Sequence, residues 1–190
     1  MTFNDFMVDV ETTGLCPARN HCIQAAFVAF DLDTMEVGGS IVRGFDIRER
    51  EVLHQKPDPE TMRWWAKQPK EVMAAIEPMM FDGIDTKTKL FETNRFLIDN
   101  HNPDLPIRFW SRPTSFDLRF CTELWKNYQV DWLFNFGNAF DQMSYGVGKV
   151  GSKERYMELQ PPKPEGQHEA LTDCLWQIQW LKNVQEFKNA

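Results

Sequence analysis

Long apolar runs, paired cysteines and positive charge are all scarce in this 190-residue sequence. No stretch approaches the roughly eighteen consecutive apolar residues that a membrane-spanning helix needs. The opening segment MTFNDFMVDV already mixes acids into its apolar residues, so neither a membrane span nor a signal peptide is expected. The four cysteines, Cys16, Cys22, Cys121 and Cys174, form no CxxC pair and keep no regular spacing, which predicts free thiols in a reducing compartment. With 28 acidic against 21 basic side chains the net charge is −7, and long-range steering of a polyanion would be repulsive. That excludes a protein that coats nucleic acid by charge. It leaves open an enzyme that grips a strand end, because carboxylates that hold divalent cations count as negative in a formal sum while their metals reverse the local field. Internal repeats, low-complexity tracts and linkers long enough to divide the chain are also missing.

What the sequence does contain is core material. Hydrophobic residues make up 42% of the chain, with fifteen Phe and seven Trp, enough for one ordinary domain spanning residues 1–190. Alternation of Phe6, Val8 and Val10 predicts a buried strand over residues 3–10, and residues 22–31 and 37–45 read as two further strands. The DLDTME turn between those two predicts an antiparallel hairpin. Residues 59–80 are helical in character, interrupted at Pro69 and closed by Pro78. Residues 86–100 read as an amphipathic helix carrying Leu90, Phe91, Phe96, Leu97 and Ile98. A compact strand over 107–110 precedes a helix over about 115–127. The segment GNAFDQMSYGVGKVGS predicts turns and short helical pieces, and QPPKPEGQ a stiff loop. A final helix is expected over 169–187, its stripe made by Leu171, Leu175, Trp176, Ile178, Gln179 and Leu181. Strands first, then helices, then a strand–helix unit and a closing helix predict an α/β fold with a mixed central sheet flanked by helices.

Acidic residues punctuate these elements at their ends. Asp9 and Glu11 stand two residues apart where the first strand ends, so the period of two aims both carboxylates at one face. Thr12, Thr13 and Gly14 follow, small residues that let backbone approach a ligand closely. Asp117, in FWSRPTSFDLRF, opens a helix just after a buried strand, a crevice position at the strand's carboxyl end. His168 and Asp173 are five apart, which on one helix would point them roughly 140° away from each other. Shared work therefore needs His168 off the helix, on the Pro-rich loop, where a solvated imidazole with the reference pKa of about 6.5 suits a general base. Singly each group has an ordinary reading: a solvated strand end, a helix cap, a surface histidine beside a salt-bridged acid. Together, in the order D-x-E, D, H-x₄-D, they form a set of hard oxygen ligands suited to Mg²⁺ or Mn²⁺. Two such cations about 3.5–4 Å apart would stabilise the attacking and leaving oxygens of an in-line displacement at phosphorus.

On these residues the sequence resembles the DEDDh 3′-5′ exonucleases of the ribonuclease H-like superfamily. Asp9-Val10-Glu11-Thr12-Thr13-Gly14 matches the first motif, Ser115-Phe116-Asp117 the second, and His168-Glu169-Ala170-Leu171-Thr172-Asp173 the third, with the H-x₄-D spacing separating this class from its tyrosine-containing relatives. A narrower resemblance, to bacteriophage exonuclease A-type proteins and the group they share with a bacterial exoribonuclease, rests on Thr61-Met62-Arg63-Trp64-Trp65-Ala66-Lys67-Gln68 and on Trp110-Ser111-Arg112. The resemblance implies a ribonuclease H-like fold and a 3′-5′ exonuclease that shortens single-stranded DNA or RNA from a free 3′ end and releases nucleoside 5′-monophosphates. It implies two Mg²⁺ ions, for which Mn²⁺ would substitute, held by Asp9, Glu11, Asp117 and Asp173, with His168 as the base that deprotonates the attacking water. Thr12, Thr13, Gly14 and Leu15 would seat the terminal nucleotide.

Further substrate-binding candidates are Trp64, Trp65, Arg112, Ser115 and Phe116. Neighbours on a helix lie about 100° apart, so one of Trp64 and Trp65 is expected in the core and the other in the substrate groove. Arg19, Arg43, Arg63, Lys67, Arg112 and Arg119 are the cations near the motifs, few enough to predict a short footprint. An accessory or proofreading-type subunit acting with a polymerase is the alternative, with Trp132, Phe134 and Phe136 as its docking patch. A homodimer is left open, no membrane partner is expected, and a phage-encoded product would act in the bacterial host cytoplasm.

Overall fold

A computed structural model of the chain describes residues 2–81, 83, 85–165 and 168–187. Among the described residues five strands form one mixed sheet in the order β3-β2-β1-β4-β5. Strand β1 (Asp5–Thr12) pairs antiparallel with β2 (Cys22–Phe30), which pairs antiparallel with β3 (Val37–Gly44). On its other side β1 runs parallel to β4 (Arg108–Ser111), and β4 runs parallel to β5 (Ala139–Asp141). The expected hairpin forms as the DLDTME turn predicts.

Both faces of the sheet are covered, and strand alternation decides which side chain goes where. Phe6, Val8 and Val10 of β1 join Ala25, Phe27, Ala29 and Phe109 in the larger core. Over them lie helix α3 (Thr86–Asn100), through Leu90 and Leu97, and helix α4 (Thr114–Asn127), through Leu118, Cys121, Leu124 and Trp125. Met7, Ala26, Val28, Phe30 and Trp110 point the other way and meet Ala170, Cys174, Ile178 and Leu181 of helix α7 (Ala170–Glu186). Asp9 and Glu11 have the parity of Met7, so they project toward α7 at the carboxyl end of β1. Helices α1 (Pro59–Trp65) and α2 (Lys70–Ile76) close over Ile23 through Trp65, Val72 and Ile76. Helices α5 (Gln142–Val150) and α6 (Lys153–Glu158) pack Val150 and Tyr156 against Trp180 and Val184 of α7.

Several expectations need correction. The segment after Gly137, expected as turns and short helical pieces, supplies a nine-residue helix and, unexpectedly, an edge strand ahead of it. Asp141 makes that helix, its carboxylate accepting from the Ser144 backbone N–H at 2.8 Å as an N-cap. On α3 the inward face is Leu90, Thr93 and Leu97, whereas Phe91 and Ile98 are more than half exposed. On α7 the inward residues are Ala170, Cys174, Gln177, Ile178, Leu181 and Val184, so Leu175 and Gln179 face outward. Pro78 does not end its segment, because a 3₁₀ turn carries the chain through Glu77–Phe81. Trp132 and Phe134 are partly buried against the core beside Phe109, which leaves Phe136, 91% exposed, as the outward member of the expected docking patch. The four cysteines are free thiols. No helix among the described residues is long and apolar enough to cross a membrane. Gly166 and Gln167 of the Pro-rich loop lie outside the described residues.

Candidate active site

The sheet brings the expected acids together from three elements. Asp9 and Glu11 come from the end of β1, opposite Ala26 and Gln24 of β2. Asp117 arrives from the first turn of α4, where its Oδ1 accepts from the Val10 backbone N–H at 3.3 Å. The β1–β4 ladder runs only through Met7, and Asp117 pairs with an N–H beyond its last rung. Asp173 stands in the first turn of α7, and its Oδ2 accepts from the His168 backbone N–H at 3.0 Å.

That last bond explains the H-x₄-D spacing. His168 has a positive φ of 69°, a conformation that turns the chain sharply just before the helix. Glu169 then caps α7, its carboxylate accepting from the Thr172 N–H at 2.9 Å, and the Ala170 N–H donates to Gln24 Oε1 at 2.7 Å, tying the helix start to β2. The imidazole is thereby returned to the acids. Ligand atoms of Glu11, His168 and Asp173 lie within 4.8 Å of one another.

Burial and mutual repulsion set the electrostatics. Asp9 is raised well above the ordinary carboxylate range by burial, then by the charges of Asp117, Glu11 and Asp173. Glu11 is raised likewise, by burial and then by Asp173 and Asp117. Burial pushes Asp117 up to about 7 against its backbone hydrogen bonds, and its Oδ2 has no hydrogen-bond partner among the described residues. Asp173 is also raised by burial, with the His168 N–H pulling the other way. His168 departs from the expected solvated imidazole. It is half-buried edge-on against Trp64, ring centroids 4.6 Å apart, and burial lowers its pKa while Asp173 opposes the shift.

Two hollows flank this cluster. One, of about 380 Å³, is lined by Glu11, Thr12, Leu15, Trp64, Trp65 and Phe116, with Asp58 and Glu60 on its rim. The tryptophans divide as expected: Trp65 is 1% exposed and its Nε1–H donates to the Thr12 carbonyl at 2.9 Å, while Trp64 is 40% exposed and Leu15 79%. Thr12, Thr13 and Gly14 form a pinned loop. Thr12 Oγ1 donates to the Gly14 carbonyl, and Thr13 Oγ1 accepts from the His21 N–H. A Cβ at Gly14 would meet the Asn20 side chain at 2.3 Å, so packing against Asn20 by itself calls for a glycine here. The other hollow, of about 490 Å³, reaches from Asp9, His168 and Asp173 to Arg112, Gln160, Lys163 and Trp176.

The remaining candidates lie apart. Ser115 faces a different depression, with Arg119 and Phe136. Arg43 pairs with Glu92 at 3.0 Å, Arg19 sits with His54 and Lys56, and Arg63 and Lys67 are exposed at α1. Sequence reasoning missed Gln177, whose Nε2 donates to Asp9 Oδ1 at 2.8 Å, and Lys163. Gln177 is one helical turn after Asp173, so the four-residue period was a usable signal. Lys163 is the one cation in QPPKPEGQ.

The model of one protein family, described as the 3′-5′ exoribonuclease Rv2179c-like domain, matches residues 4–185. Among proteins of curated function none matches the sequence. Solved structures share the fold. The E. coli ExoI–ssDNA complex in its zinc-bound form superposes with TM-score 0.60 at 15% identity, covering 94% of this chain and 39% of that one. S. pombe Pop2p in its Mg²⁺- and Mn²⁺-bound form gives 0.61 at 12% identity, covering 94% and 81%. The nuclease domain of 3′hExo, a DEDDh family member bound to rAMP, gives 0.64 at 12% identity, covering 95% and 90%. The chain thus spans about two fifths of the ExoI chain it matches, and the likenesses establish a ribonuclease H-like exonuclease fold.

Proposed function

The chain belongs to the 3′-5′ exoribonuclease Rv2179c-like domain family, and from that premise we propose that it acts as a single exonuclease domain, dependent on divalent cations, that removes nucleoside 5′-monophosphates one at a time from the 3′ end of single-stranded nucleic acid. The family description names an exoribonuclease, which favours RNA as the substrate, with DNA as the competitor to test. The observation that carries the reading is the clustering of Asp9, Glu11, Asp117 and Asp173 beside His168, from three elements distant in sequence, with Asp9 and Glu11 each raised in pKa by burial and by the charges of Asp117 and Asp173.

The donor set fits divalent cations. Its oxygens are hard ligands, the carboxylates raise one another's pKa, and one buried Asp117 oxygen lacks a partner among the described residues. Asp9, Glu11 and Asp173 would hold one ion, and Asp117 with Asp9 a second. Bound there, Mg²⁺ or Mn²⁺ supplies neutralisation of the phosphate charge and of the attacking and leaving oxygens. The chain's own work is positioning and proton transfer. Gln177 fixes the Asp9 carboxylate, and Trp65 fixes the end of β1 through the Thr12 carbonyl. His168, whose pKa burial lowers, accepts a proton from the attacking water as the new P–O bond forms and the P–O3′ bond breaks. Trp64, Leu15 and Phe116 offer apolar faces for the terminal nucleoside.

The test is a 5′-labelled single strand, as RNA and as matched DNA, incubated in Mg²⁺ and in EDTA. A Mg²⁺-dependent ladder shortening from the 3′ end, lost in Asp9→Ala and His168→Ala, is the expected result, and the relative rates choose the sugar. No shortening of either strand in Mg²⁺ or Mn²⁺ would overturn the reading in favour of an accessory subunit.

A further inference from the structure

The two hollows beside the carboxylates differ in charge: one is lined by acids without a cation, whereas the other sets two cations beside the acids. The one around Trp64 and Leu15 has Asp58 and Glu60 on its rim, which would repel a phosphate. It therefore suits the nucleoside at the end of a strand, beyond which no phosphate follows. The other, continuous with Asp9, His168 and Asp173, holds Arg112 and Lys163, and neither cation is ion-paired with a carboxylate among the described residues.

Arg112 is built into a fixed place. Its guanidinium lies 4.2 Å from the ring centre of Trp180, with Tyr156 and Trp176 at 5.9 and 6.0 Å. Packing of that kind holds the planar group in position to meet an oxyanion. The Arg112 Nε is buried with no hydrogen-bond partner among the described residues. The loop that carries Lys163 is held by α7. Trp176 Nε1–H donates to the Pro161 carbonyl at 3.2 Å and Asn183 Nδ2–H to the Leu159 carbonyl at 2.8 Å.

We propose that Arg112 and Lys163 form a second phosphate subsite, which binds the internucleotide phosphate immediately 5′ of the scissile one and so sets the direction in which the strand lies across the carboxylates. This rests on the exonuclease reading above and deepens it. Two charge-assisted contacts to one phosphate correspond to about 10- to 100-fold in kcat/KM.

The experiment replaces single phosphates by neutral methylphosphonates in an otherwise ordinary oligonucleotide. The wild-type protein is expected to lose about tenfold or more in kcat/KM when the linkage next to the scissile one is neutral, and little when a distant linkage is neutral. Arg112→Gln and Lys163→Ala are expected to lose a similar factor on the unmodified strand and to become insensitive to the neutral linkage. Lys163 is exposed, so its variant keeps the fold even if Arg112→Gln disturbs the tryptophan stack. Equal cleavage of modified and unmodified strands by the wild type, or full sensitivity retained in Lys163→Ala, would overturn the subsite. Fluorescence anisotropy with the same strands in EDTA separates the two readings. If the unmodified strand is never cut yet binding still weakens only for the adjacent neutral linkage, the exonuclease reading fails and the subsite stands. If binding ignores the linkage as well, the subsite fails too.

Discussion

Replacing each tryptophan of the Trp64–Trp65 pair separates the fold from the substrate surface. Trp65 is 1% exposed, packs on Ile23, Val72 and Ile76, and donates to the Thr12 carbonyl at 2.9 Å. Trp65→Ala removes a fully buried indole, a loss of about 3–5 kcal/mol, and leaves the Thr12 carbonyl short of a donor at about 1 kcal/mol more. For a chain of this length that lowers the Tm by on the order of 10 °C. Trp64 is 40% exposed, so Trp64→Ala should cost less, about 1–3 kcal/mol of stability. If its free face stacks on the terminal base, the same change raises KM for oligonucleotides by a factor of about 5 to 100, the equivalent of roughly 1–3 kcal/mol. The opposite face lies edge-on to His168 at 4.6 Å, so Trp64→Phe, which keeps a ring there, should restore kcat more fully than KM. Urea unfolding gives the first pair of numbers and steady-state kinetics the second. Equal destabilisation by the two alanines would refute the division of labour, as would an unchanged KM in Trp64→Ala.

The Asp46 carboxylate accepts from the Arg48 backbone and Nε at 2.9 Å, from Arg48 Nη2 and from the Gly83 N–H at 3.1 Å, and Arg48 holds it down to about 2. A folded pKa below the unfolded one contributes stability above about pH 4 that is lost as pH falls toward 2; with Arg48 60% exposed the contribution is about 1 kcal/mol. Stability curves of the wild type and Asp46→Asn should therefore differ at pH 6 and converge near pH 2, and parallel curves across that range would contradict the assignment. At the far end of β1, Asp5 is 1% exposed and accepts from Arg108 Nη2 at 2.5 Å and Trp110 Nε1 at 2.6 Å. Asp5→Ala strands both donors and should cost about 3 kcal/mol in urea unfolding, the lower end for a buried pair because Arg108 is 30% exposed; a loss under about 1 kcal/mol would contradict that.

The sequence alone determined the order and type of most elements and the identity of the acidic set. Alternation over β1 fixed which residues face which layer, and the same period put Asp9 and Glu11 on one side. Helix α3 was legible to the residue because Asp85 caps it and HNPDLP ends it. Strand β5 was not, because three half-buried residues carry too little alternation to register, and its pairing with β4 is a tertiary fact. Nor could composition show that Phe91 and Ile98 face out, since the inward stripe of α3 is set by where β3 and α4 leave room. At the site, the H-x₄-D spacing demanded that His168 leave the helix, while only the fold showed the backbone bond to Asp173 that returns it and the Trp64 edge that half-buries it. The placement of Gln177 and Lys163 beside the acids was invisible for the same reason, and so was the packing of Arg112 on Trp180, although Arg112 itself was already a candidate. Their neighbours are Asp9, Trp180 and the Pro161 loop, brought beside them from elsewhere in the chain, and no local pattern encodes a contact made across the fold.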